Sequence, residues 1–284
     1  MIVMHSRRKF IQHTAMGIAA SAALPLVSKA SGHTSVPPKH DSLKLGMAGY
    51  TFLNFDLANS ISMMKRVNVM GLSIKDFHLP LNSSPEKIKD VVKQLTDAGI
   101  TPYAVGVIYM KTKEAVDQAF AYAKNVGVNM IVGVPDYELL DYTEEKVKAY
   151  DIKIAIHNHG PMDKLYPGPK DAYDHISKKD KRMGLCIDIG HTQRTGVAPA
   201  DAVLQFKDRL FDLHIKDVTT ATNDGQAIEI GRGVIDFPAL IKALNKINYQ
   251  GFCSIEFEKD MKDPLPGIAE SVGYFRGVMR TSDQ

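Results

Sequence analysis

The segment MGLCIDIGH, residues 183–191, is a short apolar run that ends in an aspartate and a histidine. Three other segments in the second half of the chain follow the same plan: IKIAIHNHG (152–160), LFDLHIKD (210–217) and GFCSIEFE (251–258). Each is typical of a β-strand whose carboxyl end carries His, Asp or Glu. A (β/α)8 barrel builds its active site from the ends of several parallel strands at one face. These segments therefore predict a barrel enzyme.

Short apolar runs alternate with longer amphipathic segments along the rest of the chain, the pattern of βα units around a parallel sheet. We predict strands at Lys44–Ala48, Gly71–Ile74, Thr101–Gly106, Met130–Val134, Ile152–His157, Met183–Asp188, Leu210–Ile215 and Phe252–Glu256. We predict helices near 56–68, 84–98, 112–126, 138–149, 170–178, 199–207, 237–247 and 266–279. Eight such units close into a single α/β (β/α)8 (TIM) barrel. A doubly wound open sheet is the rival, but no Gly-rich dinucleotide-binding turn follows any predicted strand.

The first thirty residues are typical of an export signal. Arg7 and Arg8 form a twin-arginine pair, a run of small apolar residues follows from Ala15 to Val27, and Ala30 offers a signal-peptidase site. The apolar run is too short and too rich in small residues for a spanning helix. We predict a periplasmic protein with a twin-arginine signal peptide at 1–30, a linker at 31–42 and a barrel domain at 43–284.

Charge limits the classes of partner. The chain carries 35 basic and 32 acidic residues, a net charge of +3, but four of the basic residues lie in the predicted signal, which holds no acid. The remaining 31 basic residues face 32 acidic ones, a net charge of −1. We therefore expect no nucleic-acid partner. No other stretch is long and apolar enough to span a bilayer, so we expect no stable membrane anchor. The sequence leaves open whether the protein forms a homo-oligomer.

The two cysteines, Cys186 and Cys253, both fall in predicted strands. Because side chains alternate along a strand, Cys186 shares a face with Asp188, inside the barrel. Cys253 lies on the opposite face from Glu256 and should point to a helix. We expect two buried free thiols rather than a disulfide.

The same alternation decides which polar side chains can meet at one ion. The inward groups nearest the strand ends are His157 and His159 on the fifth strand, Asp188 on the sixth, His214 on the seventh and Glu256 on the eighth. Charged inward positions in a barrel are uncommon without a function. Mixed nitrogen and oxygen ligands predict one divalent metal ion, Mn, Zn, Co or Mg. The choice between the two histidines stays open.

Further groups are expected around this ion. Lys216 and Lys75 are candidates for the base that removes a proton. Lys216 can act in this way if burial and the cation lower its pKa, and the alternative is that it forms an ion pair with a neighbouring aspartate. His191 is expected to relay a proton or bind a substrate hydroxyl, and Glu258 is a further catalytic candidate. The candidates for binding a carbohydrate substrate are Tyr50, Phe52, His78, Tyr109, Arg194 and Arg232. His78 is equally suited to cap the loop that follows it.

Several of these residues also carry a family resemblance. Asp188-Ile-Gly-His191, His214-Ile-Lys216-Asp217 and Glu256 resemble the xylose-isomerase-like barrel superfamily, from Leu43 to about Arg280. That group includes sugar phosphate isomerases and epimerases, ketose 3-epimerases, inosose dehydratase and AP endonucleases. Three further stretches resemble an exported subgroup of sugar phosphate isomerases/epimerases: Gly49–Phe52, Lys75–Pro80 and Glu229–Gly233.

The resemblance implies that Asp188, His214 and Glu256 are metal ligands. In the family a Glu at the end of the fifth strand is usually the fourth ligand, and in the 3-epimerases it is one of two acid/base residues. His157 stands at that position here, so a symmetric two-carboxylate mechanism is in question. The resemblance to the AP endonucleases is weaker, because their three-metal cluster needs additional His and Asp ligands, including an Asp-x-His motif that does not follow the seventh strand here.

Two enzyme classes fit these residues. The first is a metal-dependent sugar isomerase or epimerase that removes a proton next to a polarised carbonyl to give an enediolate. The alternative is a lyase or hydratase that starts with the same proton abstraction and expels a β-leaving group from a keto-sugar or 3-keto-glycoside. Export favours the lyase, because sugar phosphates are scarce outside the cytoplasm. The absence of the Glu at the end of the fifth strand also favours it, because elimination needs only one base and one acid. A non-catalytic sugar-binding barrel is disfavoured by the intact Asp/His/Glu set.

Overall fold

Eight parallel strands form a closed barrel in the computed structural model, which describes residues 43–281. The barrel strands are β1 Lys44–Ala48, β2 Gly71–Ile74, β3 Thr101–Met110, β4 Met130–Pro135, β5 Lys153–His157, β6 Met183–Asp188, β7 Leu210–Ile215 and β10 Phe252–Ile255. Around the barrel they follow the order β1-β10-β7-β6-β5-β4-β3-β2. Two short strands, β8 Asp217–Val218 and β9 Ala227–Ile228, form a separate antiparallel pair. The predicted single (β/α)8 barrel is confirmed.

Helices connect the barrel strands. They are α1 Leu57–Val67, α2 Pro85–Asp97, α3 Lys113–Val126, α4 Leu140–Tyr150, α5 Pro169–Ile176, α6 Ile189–Arg194, α7 Pro199–Gln205, α8 Phe237–Lys246 and α9 Leu265–Thr281, with 3-10 turns at Gly49–Phe52 and Tyr137–Leu139. Side-chain caps begin several of them, such as Asp56 on α1 and Ser84 on α2. The short helix α6 was not predicted; Asp188 caps it directly at the end of β6.

The predicted signal peptide at 1–30 and linker at 31–42 lie outside the described residues, so their assignment stays a prediction. Among the residues from 43 to 281, the structure contains no helix with the length and apolar character needed to cross a bilayer.

Strand β3 is longer than predicted and carries side chains beyond the rim of the barrel. Its pairing with β4 shifts register between Val105 and Ile108. Gly106 lies at this irregularity with φ +142°, and a Cβ there would come within 2.1 Å of the Val132 carbonyl oxygen, so only glycine fits. The strand then continues to Met110, whereas the prediction ended it at Gly106.

Polar side chains fill part of the barrel interior below the strand ends. The Tyr103 hydroxyl donates to Asp212 Oδ2 at 3.0 Å, and Cys186 Sγ lies 3.9 Å from the same oxygen. Burial raises the pKa of Asp212 to about 7. Both Cys186 and Cys253 are buried free thiols, as predicted.

The long connection after β7 is organised by one buried carboxylate. Asp217 Oδ1 accepts hydrogen bonds from the backbone N–H groups of Val218 and Ile235, at 2.8 and 3.2 Å. Its Oδ2 accepts from those of Gly231 and Gly233, at 3.0 and 2.9 Å. These four bonds hold both ends of the connection against the end of β7.

Candidate functional site

Four side chains from neighbouring strands meet at the carboxyl-end face of the barrel. His157 and Asp188 end β5 and β6, His214 is the penultimate residue of β7, and Glu256 directly follows β10. The sheet register pairs His157 with Cys186, Asp188 with His214, and His214 with Ser254. The four residues therefore share one parity and point to the same, inward face of the barrel. All four side chains are buried. One donor atom from each lies within 4.8 Å of the other three.

The distances in this set suit the coordination shell of a divalent ion. His157 Nε2 lies 3.0 Å from His214 Nδ1 and 3.6 Å from Asp188 Oδ2. His214 Nδ1 lies 3.2 Å from Glu256 Oε2. Metal–ligand bonds of about 2.0–2.2 Å place neighbouring ligands roughly 3–3.6 Å apart. Asp188 Oδ2 is buried and lies 3.1 Å from Lys216 Nζ, but it accepts no hydrogen bond of normal geometry, so it keeps the capacity for a further partner. Two imidazoles and two carboxylates therefore fit such an ion.

The electrostatics favour the protonation state that metals bind in three of the four groups. Burial alone would lower the pKa of His214, but the charge of Glu256 raises it above its ordinary value. Burial lowers the pKa of His157 to about 3, so its imidazole is neutral. Burial alone would raise the pKa of Asp188, but His191 and Lys216 hold it below its ordinary value. The pKa of Glu256 is likewise held well below its usual range by Lys216 and His214, against the effect of burial.

Lys216 lies inside a group of three carboxylates. Its Nζ is 3.1 Å from Asp188 Oδ2, 2.8 Å from Glu256 Oε2 and 3.0 Å from Glu258 Oε2, and the residue is only 4% exposed. Burial alone would lower the pKa of Lys216, but the three carboxylates raise it well above its usual value. The three carboxylates thus outweigh burial, while the predicted role of Lys216 as a base also depends on the bound cation. The structure shows the ion-pair alternative with Asp188.

Asn158 holds Asp188 in place, and sequence reasoning did not single it out. Its Oδ1 accepts from the Asp188 backbone N–H at 3.0 Å, and its Nδ2 donates to the Asp188 carbonyl oxygen and to Thr192 Oγ1, both at 3.3 Å. Asp188 Oδ1 in turn accepts from the backbone N–H of His191 at 2.8 Å. Because Oδ1 is fixed in this way, Oδ2 remains directed to the four-residue set.

His159 turns away from that set and joins two other residues. Its Nε2 lies 2.8 Å from the Tyr109 hydroxyl, and its Nδ1 lies 3.9 Å from Asp163 Oδ2. The Tyr109 and His159 rings are stacked with centroids 5.5 Å apart. Burial, then the charges of Asp163 and Glu256, raise the pKa of Tyr109. The phenol is therefore protonated at neutral pH.

His191 and Arg194 form the edge of the site on the side of α6. His191 Nε2 lies 3.9 Å from Asp188 Oδ2. Its Nδ1 is 3.3 Å from Arg194 Nη1, and Arg194 Nη2 donates to the Asn223 carbonyl oxygen at 2.8 Å. Arg194 thus links the site to the connection after β7.

Two predicted substrate-binding residues are buried away from the mouth. Phe52 has no exposed surface and packs in the hydrophobic core, so it offers no face to a substrate in this structure. His78 Nε2 lies 3.0 Å from the Phe55 carbonyl oxygen and 3.2 Å from Ser60 Oγ. These contacts correspond to the alternative role of His78 in capping its loop.

Three further candidates differ in how they are engaged. Arg232 forms a two-bond ion pair with Glu270 on the outer helix α9, which holds its guanidinium there. Lys75 Nζ donates to the Val107 carbonyl oxygen at 2.9 Å and pairs with an adjacent aspartate. Tyr50 is half-buried and close enough to Tyr109 to affect its pKa.

Comparison with known proteins gives a family match over most of the barrel. A family model described as "Xylose isomerase-like TIM barrel" matches residues 67–278. The rhizopine catabolism protein MocC of Rhizobium meliloti is 24% identical over 145 residues, which cover 46% of this chain and 44% of that protein. An inosose dehydratase of Klebsiella pneumoniae is 29% identical over 121 residues, covering 36% and 40%. The chain spans less than half the length of these two relatives.

Solved structures share the fold over a longer stretch. An uncharacterised protein of Parabacteroides distasonis superposes with a TM-score of 0.65 and 26% identity, covering 82% of this chain and 98% of that one. The 3-keto-D-glucoside 4-epimerase YcjR of E. coli gives a TM-score of 0.66 at 18% identity, covering 83% and 99%. The IolI protein, solved with a bound zinc atom, gives 0.67 at 18% identity, covering 84% and 98%.

Proposed function

The chain belongs to the xylose isomerase-like TIM barrel family, and on that premise we propose that it is a metal-dependent enzyme that isomerises or epimerises a sugar through proton abstraction next to a carbonyl. The observation that carries this proposal is the buried set of His157, Asp188, His214 and Glu256 at the catalytic face of the barrel. The E. coli keto-glucoside epimerase, which shares the fold, supports a carbohydrate as the substrate class.

The four residues of this set would hold the ion. His157 is preferred to His159, because its Nε2 faces His214 and Asp188 whereas His159 is bonded to Tyr109. The zinc atom bound by IolI, a barrel of the same fold, supports a metal ion in a barrel of this kind. When bound, a divalent ion supplies a Lewis acid that polarises a carbonyl and acidifies the adjacent C–H.

Glu258 is the group of this chain that we assign as the base. It is the most exposed carboxylate of those around Lys216, with 29% of its side chain accessible, so it can reach a substrate at the mouth. Its carboxylate takes the proton from the carbon next to the carbonyl. Lys216, 3.0 Å away, balances the negative charge that surrounds this step and donates a hydrogen bond to the carboxylate before transfer. His191 and Arg194, at the edge of the site, would bind substrate oxygens.

A lyase is the second candidate, and a specific finding favours it. Inosose dehydratases are among the sequence relatives of this chain. Proton abstraction by Glu258 would then be followed by loss of a β-leaving group, which requires an acid at the leaving oxygen but no carboxylate at the end of β5. Product analysis separates the two classes: a stereoisomer or aldose–ketose pair identifies an isomerase, and release of water or an aglycone identifies a lyase.

The test is deuterium exchange from D2O into keto-sugars, followed by NMR. D-fructose, scyllo-inosose and methyl 3-keto-β-D-glucopyranoside serve as probes. We expect one C–H next to the carbonyl to exchange in at least one probe, and a chelator to stop the exchange. Asp188→Ala, His214→Ala and Glu256→Ala should each lose metal and exchange, whereas Glu270→Ala, on the outer helix α9, should retain both. Full exchange in the presence of chelator, or full metal content in all three site variants, would contradict the proposal.

A further inference from the structure

A second pocket opens beside the candidate site, on the side of α6. Its volume is about 540 Å³, which lies within the range of cavities that bind small molecules. Three elements that bound the site also form this pocket: the connection after β5, helix α6 with the turn that follows it, and the tip of the connection after β7. Its apolar wall consists of Pro161, Pro167, Pro169, Val197 and Phe206.

Arg194 belongs both to the edge of the site and to the wall of this pocket. Its Nη1 lies 3.3 Å from His191 Nδ1, and its Nη2 donates to the carbonyl oxygen of Asn223, another wall residue, at 2.8 Å. His191 Nε2 in turn lies 3.9 Å from Asp188 Oδ2. One imidazole and one guanidinium therefore lead from a proposed metal ligand to the pocket, so a ligand with two parts can occupy both places.

A larger cavity of about 720 Å³ lies elsewhere and shares none of these residues. It is lined by the first residues of four barrel strands, at the face opposite to the candidate site. In a barrel of this kind the chemistry takes place at the carboxyl ends of the strands. The pocket beside α6 is therefore the better placed of the two to hold part of a substrate.

The polar groups in the wall of the pocket already have partners within the protein. Asp171 Oδ2 accepts from the Gly168 backbone N–H at 3.0 Å, and Lys170 pairs with an aspartate one turn further along α5. Thr195 Oγ1 donates to the Thr192 carbonyl oxygen at 2.7 Å. What the wall offers to a ligand is mainly apolar surface, so the pocket favours an apolar group over a second sugar or a phosphate.

The wall favours an aromatic ring in particular. The Arg194 guanidinium is engaged at both Nη atoms, and a fixed planar guanidinium stacks well on aromatic faces. Phe206 is only 3% exposed, and aromatic rings attract one another beyond their burial of area. Met162, next to Pro161 and 76% exposed, carries a thioether of the kind that makes favourable contacts with aromatic rings.

We propose that this pocket is the subsite for an aromatic aglycone, and that the substrate is an aryl glycoside of a keto-sugar whose sugar ring lies at the ion. The inference rests on the proposed function and makes its substrate class more specific. The anomeric carbon of a glycoside is an acetal, so the carbonyl that the ion polarises lies at another ring carbon. Such a molecule supplies both the C–H from which Glu258 removes a proton and the ring that fills the pocket.

Two keto-glycosides that differ only in the aglycone test the subsite: methyl and phenyl 3-keto-β-D-glucopyranoside. Burial of a phenyl ring corresponds to about 10–100-fold in affinity. The kcat/KM for deuterium exchange should therefore be about 10–100 times higher for the phenyl glycoside. The parent methyl and phenyl β-D-glucopyranosides, which lack the keto group, should show the same order of affinity in calorimetric titration.

A charge placed in the apolar wall should remove this preference. In Val197→Asp, at a position that is 40% exposed in the wild type, the ratio of the phenyl to the methyl kcat/KM should fall by roughly tenfold or more. Val92→Asp is the matched control, because Val92 lines a separate cavity of about 440 Å³ between α2 and α3, and it should keep the wild-type ratio.

A measurement on the unaltered protein removes any dependence on the folding of the variants. Phenyl β-D-glucopyranoside should shift the methyl resonances of Val197 in the NMR spectrum through the ring current of the bound phenyl group. The methyl resonances of Val92 should stay in place.

Three results would each overturn the aromatic subsite while leaving the metal-dependent exchange intact. They are equal kcat/KM values for the two keto-glycosides in the wild type, an unchanged ratio in Val197→Asp, and an equal loss of the ratio in Val92→Asp. Absence of exchange with every probe in the wild-type enzyme would instead refute the proposed function. A shift of the Val197 methyl resonances would then still identify the pocket as a site for an aromatic ring.

Discussion

Replacing Lys216 by Met should destabilise the metal-free protein far more than the loss of an ordinary surface charge. Lys216 is 4% exposed and lies within 3.1 Å of oxygens from Asp188, Glu256 and Glu258. Removing one partner of a buried ion pair costs about 3–5 kcal/mol, because the remaining charges stay buried without compensation. For a domain of this size each kcal/mol corresponds to about 2–4 °C in Tm. We therefore expect Tm to fall by roughly 6–20 °C in the presence of EDTA.

A divalent ion should reverse much of this loss, because it brings positive charge to Asp188 and Glu256. Ion at about 100 times its Kd stabilises the folded state by about 2.7 kcal/mol. The Tm rise on adding Mn²⁺ at one fixed concentration should be larger for Lys216→Met than for wild type, since the variant lacks an ammonium that repels the ion. Thermal unfolding followed by circular dichroism, with EDTA and then with Mn²⁺, measures both effects.

Lys93→Met is the matched control. Lys93 pairs with Asp97 on the surface of α2, where the two side chains are 68% and 63% exposed, and such pairs contribute only about 0–1 kcal/mol. If Lys216→Met in EDTA melts within the range of Lys93→Met, the electrostatic account of the site is wrong. The same conclusion follows if Mn²⁺ raises the Tm of the variant less than that of wild type.

Three other predictions concern separate parts of the chain. Asn158→Ala should weaken metal binding about 10–100-fold and lower the free energy of unfolding by roughly 1–3 kcal/mol, because the buried backbone N–H of Asp188 loses its partner. Metal titration and urea unfolding measure the two effects, and unchanged values of both would count against this role of Asn158. Burial lowers the pKa of His78 below its ordinary 6.5, so the contribution of His78 to stability is present above about pH 6.5 and is lost as the pH falls through the lower folded value. His78→Gln should therefore narrow the difference between the urea midpoints measured at about pH 7.5 and at about pH 5. An unchanged difference would contradict this prediction. Changing Arg7 and Arg8 to Lys should hold the precursor in the cytoplasm, as measured by cell fractionation. Export of the wild-type protein in a strain that lacks the twin-arginine machinery would contradict this prediction.

The regular part of the fold could be predicted because buried parallel strands are recognisable as short apolar runs. Two features escaped prediction for physical reasons. The extension of β3 depends on a shift of register at Gly106, and a shift of register leaves no trace in hydrophobic periodicity. Helix α6 has only six residues, too few for a recognisable periodic pattern, and its N-cap Asp188 is also a predicted metal ligand.

The candidate site was predictable where strand parity alone determines direction. His157, Asp188 and His214 share an inward parity at neighbouring strand ends, and the structure brings them together. Asn158 has the opposite parity and acts on the next strand through hydrogen bonds, which requires knowledge of the strand register. The position of Phe52 after β1 predicts a substrate-binding ring at the mouth, but the packing of the 3-10 turn directs it into the core.

Asp217 has a consequence for the engineering of this barrel. One carboxylate anchors both ends of the connection that runs from 218 to 235, while the tip between Thr219 and Gln226 closes on itself through its own backbone bond of 2.9 Å. Asn223, in that tip, accepts from Arg194 at the edge of the site. We therefore expect the tip to accept inserts of other lengths and sequences between these anchor points. Selection among such grafts would vary the rim beside Arg194 without disturbing the barrel strands.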